Sequence, residues 1–330
     1  MGDCMKLFFT ELGRDIFQVS FTLFKLMIPV IVVVKILQEL GAVEYLGMVL
    51  GPIMHSVGLP ESMGFVWATT MLTNIYGGML VFFYTQQAEV LTVAQVTVLS
   101  ILMLLSHALP IEARIAQQAG VRLRVTLLLR VGGGLLLGCI MHHFYSFFNL
   151  LQEPMNLMWQ PEIPEPGLLA WGISQVEGLI MIQVVIVILL TALKVLKILG
   201  IERLMALLLR PVLRLVGIGR EATTITIVGV TLGLSFGGGL LIKEARAGHV
   251  AKRDIFASMS LLALCHSIIE DTLLVTVLGA DLSGVLWARL LFTFVFIGVL
   301  TRVLSQCPDS FWRAHLVNKH VEPLGPAVRT

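Results

Sequence analysis

Two short stretches carry the residues that could do chemistry. They are Ser106-His107-Ala108-Leu109-Pro110-Ile111-Glu112 and Cys265-His266-Ser267-Ile268-Ile269-Glu270-Asp271. Each places an imidazole a few residues ahead of a carboxylate inside a long apolar run. Imidazole with carboxylate can hold zinc, iron or manganese, and His can carry a proton near neutral pH. The metal-ligand candidates are therefore His107, His266 and Glu270, with Cys265 as a soft ligand. His266 and Glu270 are four apart and share a helix face. His107 and Glu112 are five apart and meet only if the helix is distorted, which Pro110 favours by removing a backbone donor. Arg130 and Arg289 lie roughly 12 Å along their own helices. A buried guanidinium needs a partner, and Glu112 and Asp271 are the expected ones. Glu270 is then the free carboxylate.

These residues recur in a pattern. At a separation of 159 positions His107 falls on His266, Glu112 on Asp271, Gly120 on Gly279 and Arg130 on Arg289. Earlier in the chain Lys35 falls on Lys194, Gly41 on Gly200, Pro52 on Pro211 and Gly58 on Gly217, while Gly77-Gly78 meets Gly237-Gly238 with one residue inserted. Hydrophobic bias alone does not match Gly, Pro, His and Arg. The chain reads as one unit written twice: 1–148 and 168–305, joined by a linker 149–167 and followed by a tail 306–330.

The elements that position these residues must sit in a bilayer. Hydrophobic residues make up 57% of the 330 and charged residues only 13%, against about a quarter in soluble domains. The net charge of +2 is no nucleic-acid signal, because Lys and Arg mark topology here. Four scattered cysteines imply no disulfide framework. The first copy reads as a span over 15–40, a short helix 43–57, an interrupted piece 62–91, and spans 93–119 and 121–147. The second reads as 168–196, 201–216, 222–243, 255–278 and 282–304. Lys and Arg gather on the cytoplasmic side. With the N-terminus inside, Arg114, Arg122 and Arg124 are cytoplasmic only if 62–91 dips and returns as a re-entrant hairpin. The linker, with Glu153, Glu162 and Glu165 and no Lys or Arg, is then outside. Basic residues flank 222–243 on both sides, so it is also re-entrant. Three crossings per copy is odd, so the copies are inverted. The predicted fold is an all-α polytopic membrane protein, each repeat holding three transmembrane helices, one re-entrant hairpin and one interfacial amphipathic helix. Both termini are cytoplasmic, in a bacterial inner membrane.

Hairpin arms of about 12 residues reach some 18 Å, to mid-bilayer. Their tips, at Asn74, Gly77 and Gly78 and at Ser235, Gly237 and Gly238, would offer free backbone groups and polar side chains to a solute. The short helices ending in Pro52–Gly58 and Pro211–Gly217, the Gly-Gly tips and the Ser-His and Cys-His stretches followed by acids resemble the nucleoside-recognition, or Gate-domain, family. That family is similar to the membrane part of the bacterial ferrous-iron permease and to the core of concentrative nucleoside transporters. The resemblance covers about 20–305. The chain has no P-loop and lacks Gln/Glu-rich tips. The resemblance implies a secondary transporter with a midplane site lined by Asn74, Ser106, His107, Ser235, His266, Ser267 and Glu270. Its partners are the bilayer, a small-molecule or ion substrate and a second copy. No organic cofactor is expected; a proton, sodium or a divalent metal would couple. The alternatives are a divalent-metal permease and a non-transporting assembly or signalling protein. No H-E-x-x-H or G-x-S-x-G occurs, so no enzyme is expected.

Overall fold

Without water to bond, an apolar chain must satisfy its backbone internally, and helices do that within one segment. A computed structural model describes residues 2–85, 90–156, 167–247 and 250–318. It contains helices and no strand among the described residues; isolated bridges join Thr92 to Pro154 and Val121 to Val317. The first half runs α1 (Gly2–Glu39), α2 (Ala42–Ser56), α3 (Met63–Leu72), α4 (Ile75–Thr85), α5 (Val93–Ser106), α6 (Leu109–Gln118), α7 (Leu123–Leu127) and α8 (Gly133–Phe147). The second runs α9 (Leu168–Ile198), α10 (Ile201–Leu215), α11 (Arg220–Leu232), α12 (Leu234–Ala247), α13 (Lys252–Leu264), α14 (Glu270–Val277) and α15 (Arg289–Ser305). A short α16 (Asp309–Phe311) precedes the end of the described chain. A π-helical segment, Leu128–Gly132, joins α7 to α8, and another, Ser283–Ala288, leads into α15.

Among the described residues four continuous helical stretches are long and apolar enough to cross a membrane: Phe9–Val33, Leu123–Phe147, Leu168–Ile198 and Ser283–Ser305. α5 and α6 make a fifth if taken together, bent by 41°. The predicted span 255–278 is instead interrupted between α13 and α14. α1 also begins at Gly2 rather than at residue 15, because nothing before Asp15 stops a helix.

Three matched glycine pairs adopt the same left-handed backbone: Gly41 and Gly200 (φ 70° and 77°), Gly58 and Gly217 (71° and 90°), Gly120 and Gly279 (106° and 90°). That region is open chiefly to glycine, so the repeated letters encode repeated turns. α1 and α9 pack against each other and run antiparallel. Lys194, late in α9, pairs with Glu11 (3.1 Å) and Asp15 (3.7 Å), early in α1. At the other end the Lys35 ammonium lies 5.9 Å above the Trp171 ring.

α3 folds back on α4, and α11 on α12. A Cβ at Gly237 would lie 2.2 Å from Gly229 Cα, and one at Gly78 would lie 1.8 Å from Thr70 Oγ1. Residues eight apart would stand about 12 Å apart in a straight helix, so each pair is a hairpin. The glycines thus lie in the returning helices at close contacts, not at the tips. The turns fall at Thr73-Asn74 and at Gly233 (φ 99°). On α10, Arg203, Arg210 and Arg214 are exposed, as are Leu204, Leu207, Leu208 and Leu215, while Leu209 and Leu213 are buried. A helix showing both arginine and leucine outward suits a membrane surface.

Candidate functional site

Two helix breaks build the site. α5 ends at Ser106, and the chain turns through extended His107 and left-handed Ala108 (φ 48°) into α6. Pro110 occupies the first turn of α6, where no backbone donor is required. In the second half the break spans Cys265–Ile269, with Ser267 left-handed at φ 45°. Each break is tied to the first hairpin arm of its own half. The Ala108 amide donates to the Thr70 carbonyl (3.1 Å), and the Ile268 amide to the Val230 carbonyl (2.9 Å).

A broken helix strands carbonyls, and in an apolar interior each unsatisfied group costs several kcal/mol. The two matched arginines take them. Arg130 Nη2 donates to the His107 carbonyl at 2.7 Å. Arg289 Nη2 donates to the His266 carbonyl at 2.9 Å, and its Nε to the Leu264 carbonyl at 3.2 Å. Both residues are 0% exposed. Arg130 lies within a π-helical segment and Arg289 directly follows one; π-bulges often sit at functional sites.

The breaks bring the two histidines together. Their Nε2 atoms are 3.2 Å apart, and Glu112 Oε1 lies 3.2 Å from each. The other ring nitrogens face backbone carbonyls. His266 Nδ1 is 2.7 Å from the Leu262 carbonyl, and His107 Nδ1 is 3.1 Å from that of Leu104. A carbonyl only accepts, so both Nδ1 atoms donate, and in the neutral rings the Nε2 lone pairs face inward. The second oxygen of Glu112 is clamped by Arg130 Nη1. An oxygen of Asp271 lies within 4.8 Å of a ring nitrogen of each histidine. Among the described residues Asp271 Oδ2 and Arg289 Nη1 have no hydrogen-bond partner.

Several expectations need correction. The Arg130–Glu112 pair forms, but no ion pair within 4.0 Å joins Arg289 to Asp271 among the described residues; Arg289 donates to two carbonyls instead. His266 and Glu270 do not share a helix face, since the chain between them is unwound. Glu112, not Glu270, touches both imidazoles: the α5–α6 break swings it inward. Glu270 is half-buried, and Asp271 takes the place in the ligand group expected for Glu270. Cys265, 1% exposed, does not join that group. Ser106 accepts the Trp67 indole N–H (2.6 Å) and donates to the Leu102 carbonyl, so its hydroxyl is occupied. Asn74 Oδ1 accepts from the Gly77 amide (2.8 Å) and caps α4. Gly77, Gly78 and Gly237 meet neighbouring side chains or backbone, and Gly238 meets Ile115 of α6. Ser267 is buried beside Gly233. The Ser235 side chain lies outside the described residues. Sequence reading gave Glu112 a merely structural role; its alignment with Asp271 and its closeness to Pro110 were the available signals.

Helices of this length and apolarity, with a buried charged cluster, define an all-α polytopic membrane protein. The comparisons agree with that class. The chain is 25% identical over 321 residues to YvoD, described as an uncharacterized membrane protein of Bacillus subtilis (strain 168), covering 95% of this chain and 98% of that one. No family model matches the chain, and no solved structure matches it.

Proposed function

We propose that this protein is a secondary transporter of two inverted repeats, moving a small polar solute or ion by alternating access. The cluster of His107, His266, Glu112, Asp271, Arg130 and Arg289 would be its midplane site. The observation that carries this reading is that both halves contribute a broken helix, a histidine, a carboxylate and a carbonyl-capping arginine to one buried point. Broken helices at the repeat interface are how such transporters bind cargo. The antiparallel pairing of α1 with α9 supports opposite orientations of the halves, as does the contrast between α10, with Arg203, Arg210 and Arg214, and α2, which has no Lys or Arg. The resemblance to the Gate family fits the same architecture without naming a cargo.

The test is a thermal-unfolding panel on detergent-purified protein with divalent metals, nucleosides, nucleobases and small organic acids, followed by uptake of any hit into proteoliposomes. A cargo at 100 times its Kd stabilises the fold by about 2.7 kcal/mol. The His107→Ala/His266→Ala double variant is expected to lose both the shift and the uptake. Uptake that persists in this variant would remove the cluster from the transport path, and no uptake of any compound would overturn the transporter reading.

A further inference from the structure

We propose that the cluster is a site for one divalent first-row transition-metal ion of the zinc class, held by His107 Nε2, His266 Nε2 and Glu112 Oε1 with Asp271 within reach as a fourth ligand. This names the ion for the site described above as the transport site and rests on that reading only for the ion's role as cargo.

With both imidazoles neutral, three acceptors meet with nothing to donate between them. Both imidazoles spend their only neutral-state hydrogen on backbone carbonyls. Their Nε2 lone pairs and Glu112 Oε1 then form a triangle with every side 3.2 Å. Three such lone pairs repel unless a cation sits among them. Ligands about 2.0–2.1 Å from a tetrahedral zinc stand about 3.3–3.4 Å from one another, close to the observed sides. An ion at that bond length would sit roughly 0.9 Å above the plane of the three atoms.

The surroundings match a built metal site. Each ligating imidazole has its second nitrogen hydrogen-bonded, which fixes the ring and its tautomer, as outer-shell partners do around metals. Arg130 fixes the far oxygen of Glu112 and leaves the near one free to ligate. Asp271 is 6% exposed and its Oδ2 has no partner among the described residues. A buried carboxylate oxygen without a hydrogen bond is costly, and a cation removes that cost. Two nitrogens and carboxylate oxygens suit zinc, cobalt or iron and disfavour calcium or magnesium, which prefer all-oxygen shells.

The experiment strips the detergent-purified full chain with a chelator and adds cobalt(II), then zinc. One cobalt per chain, the strong visible absorption of four-coordinate cobalt, and its displacement by zinc are expected. His266→Ala and Glu112→Gln should each weaken binding by at least about 100-fold, more than loss of an outer-shell partner does. The His142→Ala/His143→Ala variant should bind like wild type. Folding of each variant is checked by melting, and the wild-type titration stands even if a variant fails to fold. Wild-type protein that binds neither ion overturns the proposal and leaves a shared proton as the cation. Unchanged binding in a folded His107→Ala/His266→Ala variant overturns it as well. Zinc uptake into proteoliposomes is read separately. Stoichiometric binding without uptake supports the ion site and overturns the transport role; uptake of an organic solute by a chain that binds no ion does the reverse.

Discussion

Arg130 and Arg289 show how one residue type can serve different purposes at matched positions. Both cap a carbonyl released by a helix break 23 residues earlier. Arg130 also neutralises Glu112, whereas Arg289 gives its Nε to a second carbonyl. Removing one partner of a buried pair is worse than removing both. Arg130→Met should therefore destabilise the protein by about 3–5 kcal/mol. Adding Glu112→Gln should recover the share due to the stranded carboxylate and leave about 1–3 kcal/mol for the uncapped carbonyl. Arg289→Met and Asp271→Asn, which share the buried cluster without a direct ion pair, should couple more weakly than the first pair. Two double-mutant cycles, read by unfolding in detergent, decide between these outcomes. Strong coupling in the second cycle would restore the Arg289–Asp271 pair.

At the scale of elements the hairpins depend on backbone contact. Gly237 approaches the Gly229 backbone, which cannot swing aside as a side chain can. Gly239, two residues further along α12, has nothing within 4 Å of its missing Cβ. Gly237→Ala should thus cost at least the roughly 1–3 kcal/mol of an overpacked core. Gly239→Ala should be neutral or stabilising by up to about 1 kcal/mol, because Ala favours a helix over Gly. Melting temperatures of the two variants check this; equal melting would mean that α11 and α12 separate easily. The same elements explain why α14 starts afresh. Arg289 holds the Leu264 and His266 carbonyls and Val230 accepts from the Ile268 amide, so the break is stabilised by neighbours without a proline.

For the whole molecule the decisive matter is which way each half faces. Glu61 and Glu221 match in sequence at the same 160-residue separation as Gly77 and Gly237, and both are exposed. In inverted halves they lie on opposite sides of the membrane. In a cysteine-free background, Glu61→Cys should react with an impermeant maleimide added to intact cells. Glu221→Cys should react only after permeabilisation. Labelling of both from one side would make the halves parallel and sink alternating access about a shared midplane site.

The sequence alone determined the class and the helix order, and it pointed to a doubled plan. Those follow from local signals: apolar run length, glycines at left-handed turns such as Gly58 and Gly217, and Pro110 at one helix break. It also singled out His107, His266, Glu112, Asp271, Arg130 and Arg289, all of which the fold buries, since ionisable side chains stand out in apolar segments. Their pairing was not legible. Whether Arg289 meets Asp271 or a carbonyl depends on where α13 unwinds, and no residue within Cys265–Ile269 forces that break. The cause lies on other helices, in Val230 and Arg289. Likewise Glu112 reaches both imidazoles only because two bent segments from separate halves converge, a relation between distant parts of the chain that spacing along one helix does not contain.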